Sequence, residues 1–523
     1  MNNFDFEVLV VGSGAGGSMA AYELTKAGHK VLMLEAGRDY DPKTETPMFK
    51  RNGEAPLMGA GNSDKDFGFY DATVDGGWQV PNEPYTAADG SEFLWWRARM
   101  LGGRTNHWGR YSLRFSEHDF KGKSRDGLGA DWPFDYDDIA PWYDKTEALV
   151  GVCGTNTGLD DMPPSSDGIL QPPPKPRITE LLIAAAAKKL GIPVAPMHRA
   201  VLTRPLDNRA ACFYATPCGH GCSIGAAFQT TTSLIPIAKA TGNLQVITDA
   251  MVKSVDTDEN GKVTGVSYVD KKTSTVHQLQ AKVVILAASA CESARLLLNS
   301  KSARFPNGLA NSSGQVGKNL MDSTGANIGA MVPALQGRPI YNEDGHTANH
   351  LFIPWWGHKA QERKELDFPR GYHFEIGGRF NEPSSGIAGN VQGYGADLKR
   401  QVKHNYGAYI GFALRGEMVP NEHCYMDIDP EVKDKWGIPV ARFHWKWSEH
   451  ELKQVEHGLK TAKAIFAQMG ADVGELPTPE QAILKGGEII HEVGTTRMGA
   501  SPKDSVTNQW GQSWDCPNLF VMD

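Results

Sequence analysis

Cys212, Cys218 and Cys222 stand within eleven positions of one another in ACFYATPCGHGCSIGA, residues 211–226, out of seven cysteines in the chain. Thiols at C-x5-C-x3-C spacing can serve several chemistries. An iron–sulfur cluster takes thiolates as its usual ligands, and Gly219 and Gly221 would let a short loop wrap around it. A zinc site would add His220, a cramped arrangement because that residue is only two positions from each neighbouring cysteine. A disulfide would leave one thiol over. Core packing is the fourth reading, and loop cysteines flanked by Gly and Pro have little core to join. Cys153, Cys291, Cys424 and Cys516 are scattered and read as small core residues.

The glycines of VVGSGAGG point to different chemistry. Gly12, Gly14 and Gly17 form G-x-G-x-x-G, and Glu35 follows eighteen residues after Gly17. Gly12 permits a tight turn, Gly14 lets a pyrophosphate approach the backbone, and Gly17 lets a helix pack closely on a strand. The N-terminus of that helix would face the phosphates, and Glu35 could accept from a ribose 2′-hydroxyl. Together these predict dinucleotide binding.

Particular elements must hold these residues. FEVLVVG is predicted to be a buried strand, followed by a helix to about Ala27, with Gly28 as the left-handed residue past its end. KVLMLEAG is a second, parallel strand that Glu35 closes. ITELLIAAAAKKLG is a helix stopped by Gly191 and Pro193, and LIPIAKATGNLQVIT is a helix followed by a strand. MVKSVDTDENGKVTGVSYVD reads as a hairpin turning at Asn260 and Gly261. KVVILAASACESARLLLNS reads as a strand, a tight turn and a helix. Residues 160–177, rich in Pro, form an extended connection. Residues 331–484 alternate short strands and aromatic loops before ending in a helix. The expected class is α/β: a nucleotide-binding domain assembled from separated segments, with a largely β domain inserted.

Composition narrows the function classes. The chain has 523 residues, 40% hydrophobic and 22% charged, with a formal net charge of −8. No basic stretch stands out against that balance, so nucleic acid is not expected as a partner. The longest apolar runs, such as LLIAAAA at 181–187, are far too short to span a bilayer. The N-terminal residues lack the basic start, apolar stretch and cleavage site of a signal peptide.

Four stretches occur in order: VLVVGSGAGGSMAAYELTKAGHKVLMLEAG, LGGRTNHWG at 101–109, VVILAASACESARLLLNS at 283–300 and HEVGTTRMG at 491–499. With the late NLFVMD they resemble the glucose–methanol–choline flavoprotein oxidoreductases over essentially the whole chain. The resemblance is strongest to the FAD-containing large subunits of bacterial sugar and glucoside dehydrogenase complexes. It implies a Rossmann-like FAD-binding domain from residues 1–115, 190–330 and 485–523, and a substrate-binding domain from 116–189 and 331–484. FAD is implied by the family alone, since the fold does not separate FAD from NAD.

The resemblance also assigns residues. His491 matches the catalytic histidine, and an imidazole suits a base because its ordinary pKa lies near working pH. Gly102, Gly103, Asn106 and His107 match the loop beside the isoalloxazine ring, and Met251 and Val252 are placed among the cofactor-binding residues. In some sugar-oxidising relatives a histidine in a similar context is linked covalently to FAD; for His107 hydrogen bonding or packing are the alternatives. Trp95, Trp96 and Trp108 are expected in core or channel wall. Ser323, in NLMDS, replaces a histidine common in relatives, which puts any role of that position in doubt. The second catalytic residue is expected beyond Asp523.

Some such large subunits bind a three-iron cluster at a matching cysteine run, so the resemblance favours [3Fe-4S] at Cys212, Cys218 and Cys222. The implied reaction oxidises a sugar or glycoside hydroxyl to a carbonyl, with hydride passing to flavin N5 and electrons leaving through the cluster to cytochrome c. Glucoside oxidation at C3 comes first among substrates, then glucose at C1, gluconate at C2 and fructose at C5. A small partner subunit carrying the export signal would give a periplasmic location, and a cytoplasmic one is the alternative. The rival activities are a stand-alone oxidase using oxygen, with structural cysteines, and a flavin-binding protein without turnover.

Overall fold

Strand β1 (Phe6–Val11), helix α1 (Ala15–Lys26) and β2 (Val31–Leu34) form the expected parallel unit, with Val8 opposite Val31 and Val10 opposite Met33. In the computed structural model, residues 6–46, 72–214, 218–338, 349–377, 391 and 393–523 are described. Ala27 caps α1, and Gly28 follows at φ +93°, a conformation glycine adopts without steric cost. Beyond Glu7 the strands are apolar at every position because both faces are covered. Val8, Val10, Val31 and Met33 pack on the α1 side with Ala21. Leu9, Val11, Leu32 and Leu34 face the other way, into the largest core cluster.

Distant segments complete this sheet. Helix α2 (Leu234–Ala240) leads into β3 (Leu244–Ile247), which pairs parallel to β2. The hairpin β4 (Ala250–Thr257) and β5 (Val263–Asp270) turns through Asp258–Gly261, as its sequence predicts. The long strand β6 (Val276–Leu286) pairs antiparallel with β5 over its first half and parallel with β1 over its second. Helix α3 (Ala290–Asn299) follows, and the strand Leu519–Val521 pairs parallel to β6 on its far side. The parallel order is therefore β3, β2, β1, β6 and the C-terminal strand.

The second sheet is antiparallel: β7 (Thr324–Met331), β8 (Leu351–Ile353), β9 (Tyr372–Gly377) and β10 (Tyr409–Gly416), in the order β7, β10, β9, β8. Its buried face carries Tyr372, Phe374, Phe412 and Leu414, packed on the helix Ile178–Lys189 and on α4 (Glu449–Gln468). A Cβ on Gly458 of α4 would fall 2.1 Å from Leu414 Cδ1, so that glycine sets how closely the helix lies on the sheet. The hairpin of β11 (Tyr425–Lys433) and β12 (Pro439–His444) lies within the 331–484 stretch. It packs Met426, Ala441 and Phe443 into the nucleotide-side core, where Phe443 stacks on Phe93 at 4.3 Å. Among the described residues no helix is long and apolar enough to cross a membrane.

Candidate active site

The glycine turn is built as its spacing requires. A Cβ on Gly12, at φ +101°, would lie 2.2 Å from Ala287 O, and one on Gly17 would lie 2.0 Å from Gly12 O. The turn is thus pressed against the end of β6, and α1 against the turn. Gly14 is different: a Cβ there would meet nothing within 4 Å, because Gly14 borders a cavity of about 1320 Å³. Glu35 accepts from Ser13 N at 3.1 Å, Ser13 Oγ at 2.5 Å and Gly37 N at 2.7 Å. A carboxylate offers about four acceptor sites, so one remains for a ribose hydroxyl.

The cavity runs from this turn to the second sheet. Gly12, Gly14, Glu35, Gly103, His107, Met251, Val252 and His491 all line it, so the structure brings together most of the residues singled out from sequence. Three others stand behind the wall. Gly17 supports the helix, Gly102 donates its N–H to Ser13 Oγ at 2.8 Å, and Asn106 is fully buried. The Asn106 amide donates to Leu101 O at 2.8 Å and accepts from Thr231 Oγ1 at 2.9 Å. Asn106 therefore braces the loop, and its side chain is taken up by these contacts. Trp95 is core, whereas Trp96 and Trp108 line the cavity.

These residues fit a dinucleotide. Open space at Gly14 lies at the N-terminus of α1, where phosphates are favoured. His107 also lines the cavity, with its Nε2 buried and without a hydrogen-bond partner among the described residues. Burial, reinforced by Arg110 and Arg104, lowers the His107 pKa to about 3, so the ring is neutral at ordinary pH.

His491 sits on a loop held from three directions. Ser323 Oγ lies 3.0 Å from His491 Nδ1; with the hydroxyl accepting from Nδ1–H, the lone pair falls on Nε2. Asp322 accepts from the backbone N–H groups of Ser323 at 2.8 Å, His491 at 2.9 Å and Ile489 at 3.2 Å. Between the last two, Ile490 has φ +68°, a strained conformation for a β-branched residue. Arg104, from the loop beside His107, donates to Ile490 O at 3.0 Å and to Glu492 Oε2 at 2.6 Å. This partly buried ion pair ties the two sequence motifs together. Sequence reasoning did not find Asp322, Arg104 or Glu492; NLMDS drew attention only through its unusual Ser323, which proves to be a direct partner of His491.

Electrostatics keep the imidazole unprotonated. Burial lowers the His491 pKa to about 4, with Arg415, His373 and Arg104 adding to the effect and Glu375 opposing it. His491 is nonetheless an exposed residue in the cavity wall, so the neutral base is accessible to a ligand there. For Asp322, burial and the neighbouring Glu492 carboxylate outweigh the three N–H bonds and raise the pKa to about 7.

The three cysteines do gather. Cys218, Cys222 and the partly buried Cys212 share one small apolar cluster with Val201, Ala226 and Ala227. All seven cysteines are free thiols, and the scattered four are buried as expected. Tyr214 N approaches Cys212 Sγ at 3.3 Å, Ala227 N approaches Cys222 Sγ at 3.5 Å, and Arg199 Nη2 lies 3.7 Å from Cys218 Sγ. Burial pushes the Cys212 thiol up to about 11. Among the described residues no three His, Cys, Asp or Glu side chains are disposed to hold a metal ion. Residues 215–217 and the His220 side chain lie outside the described residues.

Comparison with known proteins agrees with this geometry. Residues 6–324 and 420–523 match the two profiles described as GMC oxidoreductase. The 2-methyl-1,2-propanediol dehydrogenase of Mycolicibacterium austroafricanum is 31% identical over 99% of this chain and 90% of its own length. The fructose dehydrogenase large subunit of Gluconobacter japonicus is 26% identical over 98% and 92%. Among solved structures, a formate oxidase of Aspergillus oryzae, studied for its FAD modification, superposes with a TM-score of 0.65 at 14% identity. It covers 100% of this chain and 94% of its own, and carries the fold alone.

Proposed function

Since the chain belongs to the GMC oxidoreductase family, FAD-dependent enzymes acting on CH–OH groups, we propose that it is a dehydrogenase oxidising a hydroxyl of a sugar or other polyol to a carbonyl, with His491 as the base. The observation that carries this reading is the position of His491. It is a neutral imidazole, anchored through Nδ1 by Ser323 and open to the same cavity as the glycine turn. FAD, when bound, supplies the hydride acceptor. Gly14, the α1 N-terminus and Glu35 would hold its nucleotide half, and Gly103 and His107 would flank the ring end. His491 Nε2 would take the hydroxyl proton, with Ser323 and Asp322 fixing the imidazole against the substrate.

Among sugar-type substrates we carry glucoside oxidation at C3 first, with glucose, gluconate and fructose following. A partner subunit and export to the periplasm belong to the same proposal; the fructose dehydrogenase relative, named as a large subunit, supports the subunit. The test is turnover of the FAD-loaded protein with an artificial electron acceptor against a panel of glucosides, sugars and diols. Loss of turnover in His491→Ala, with FAD retained, supports the base. Peroxide formed at a rate equal to turnover would instead make the protein an oxidase.

Electron exit through an iron–sulfur cluster is a separable part of the proposal, and no step above passes through it. Iron and acid-labile sulfide, with a paramagnetic resonance signal lost in Cys218→Ser, would establish the cluster. Active, FAD-loaded protein without iron would leave a direct route from the cofactor to the acceptor.

A further inference from the structure

The second sheet turns a polar row toward the cavity. Along β9 the side chains alternate: Tyr372, Phe374 and Ile376 are buried in the core, while His373 and Glu375 point to the opposite face and line the cavity. Arg415 of β10 is the cross-strand neighbour of His373, and Gly325 of β7 is the next residue in that row. The His491 loop is seated on this row, because a Cβ on Gly325 would lie 2.6 Å from Ile489 Cδ1. Leu484 N also donates to Gly325 O at 2.8 Å.

Within the row, Glu375 has an unusual set of partners. His373 Nε2 lies 3.8 Å from one carboxylate oxygen and Arg415 Nη2 lies 3.8 Å from the other, both beyond hydrogen-bond reach. Among the described residues its nearest donors are these two, held at 3.8 Å as long contacts, although only 16% of the side chain is exposed. Burial alone would raise its pKa, but His373 and Arg415 hold it below the usual carboxylate range, so the group is an anion. A largely buried anion whose donors stand this far off is costly unless a ligand supplies closer ones. Its charge is matched by Arg415, so the row as a whole favours neither an anionic nor a cationic ligand.

Building on the function proposed above, we infer that Glu375 is a specificity-determining residue: it accepts a hydrogen bond from a second hydroxyl of the substrate while His491 engages the first. The substrate class is then a neutral polyol or sugar, ahead of a monohydric alcohol or a sugar acid. Arg415 and His373 keep the carboxylate ionised and in place, and supply donors for the oxygen of the same hydroxyl. Nothing in the sequence marks Glu375, because the EIG of β9 has no motif around it.

Binding rather than turnover tests the inference. Tertiary alcohols carry no hydrogen on the carbinol carbon and cannot be oxidised, so their affinity is read without reaction. The probes are tert-butanol, pinacol and 2,5-dimethylhexane-2,5-diol, titrated against the FAD-loaded protein by the change in flavin absorbance. A hydrogen bond to a charged acceptor corresponds to roughly a 10- to 100-fold gain in affinity. At least one diol is expected to bind about tenfold or more tightly than tert-butanol. That advantage should shrink to about twofold in Glu375→Ala and be partly kept in Glu375→Gln, which can still accept.

Equal binding of mono- and dihydric alcohols by the wild type, or no binding of either, overturns the inference without any variant. So does a diol advantage that survives in Glu375→Ala. A protein that prefers the diols but oxidises no alcohol would sink the proposed function and leave this one standing.

Discussion

Asp322 is the group whose removal should move both the stability and the chemistry of the site. Its carboxyl is raised from 3.8 to about 7, a folded-state preference for the protonated form of about 4 kcal/mol. The folded protein then binds more protons at Asp322 than the unfolded chain between those values. The stability from this group is fully present below about pH 4 and is lost as pH rises through 7. Asp322→Asn removes the titration and keeps one acceptor, while the amide that replaces the other oxygen loses either the Ile489 bond on Oδ2 or the Ser323 and His491 bonds on Oδ1. At pH 5 the variant should melt lower than the wild type. Between pH 5 and 8 the gap should narrow by several degrees, because only the wild type then carries the cost of a buried anion. The His491 loop should also relax, since Asp322 brackets the strained Ile490. A displacement of about 1 Å is enough for a loss on the order of 100-fold in kcat. Ile490→Gly, which tolerates φ +68°, should restore part of that loss when combined with Asp322→Asn. Melting curves at the two pH values and steady-state rates with matched FAD content decide it. A melting gap that does not change with pH, or a variant within twofold of wild-type kcat, would refute the reasoning.

His491→Ala should lower kcat by roughly 100- to 10,000-fold, the usual range for a lost general base, with FAD absorbance per protein unchanged. In the wild type, kcat/KM should stay level down to about pH 5 and fall with a midpoint near 4, as His491 becomes protonated. Removing the negative charge in Glu375→Gln should move that midpoint lower, and removing the cation in Arg415→Met should move it higher, both read from the acid limb of the pH profile. Arg104→Met leaves the Glu492 carboxylate buried without its partner and should destabilise by about 3–5 kcal/mol in denaturant titrations. Gly14→Ala should fold normally but hold FAD less tightly, whereas Gly17→Ala should destabilise the protein itself by about 1–3 kcal/mol, because its Cβ collides with Gly12 O. Cofactor titration and melting separate the two.

Much of this protein was legible in its residues because the information was local. The apolar runs of β1, β2 and β6, the glycine spacing and Glu35 each read out a constraint that acts within one strand–turn–helix unit. The structure places them as expected. The motifs around Gly103, His107 and His491 likewise named residues that do meet at one cavity. Asn106 belonged to the same motif, but its amide is consumed by Leu101 and Thr231, a partnership that neighbours in sequence do not reveal. The cysteine spacing foretold a cluster of thiols, and only the fold shows them packed among alanine and valine.

What the tertiary structure alone decided is the surroundings of the base. Asp322 and Ser323 reach His491 across more than 160 positions, Arg104 reaches Glu492 across 388, and Glu375 faces the cavity only because strand alternation buries its neighbours. Hydrogen bonds and ion pairs depend on a few ångströms in space and leave no periodicity in the chain. The sequence could therefore name the imidazole, while the fold was needed to show what holds it, sets its pKa and stands opposite it in the cavity.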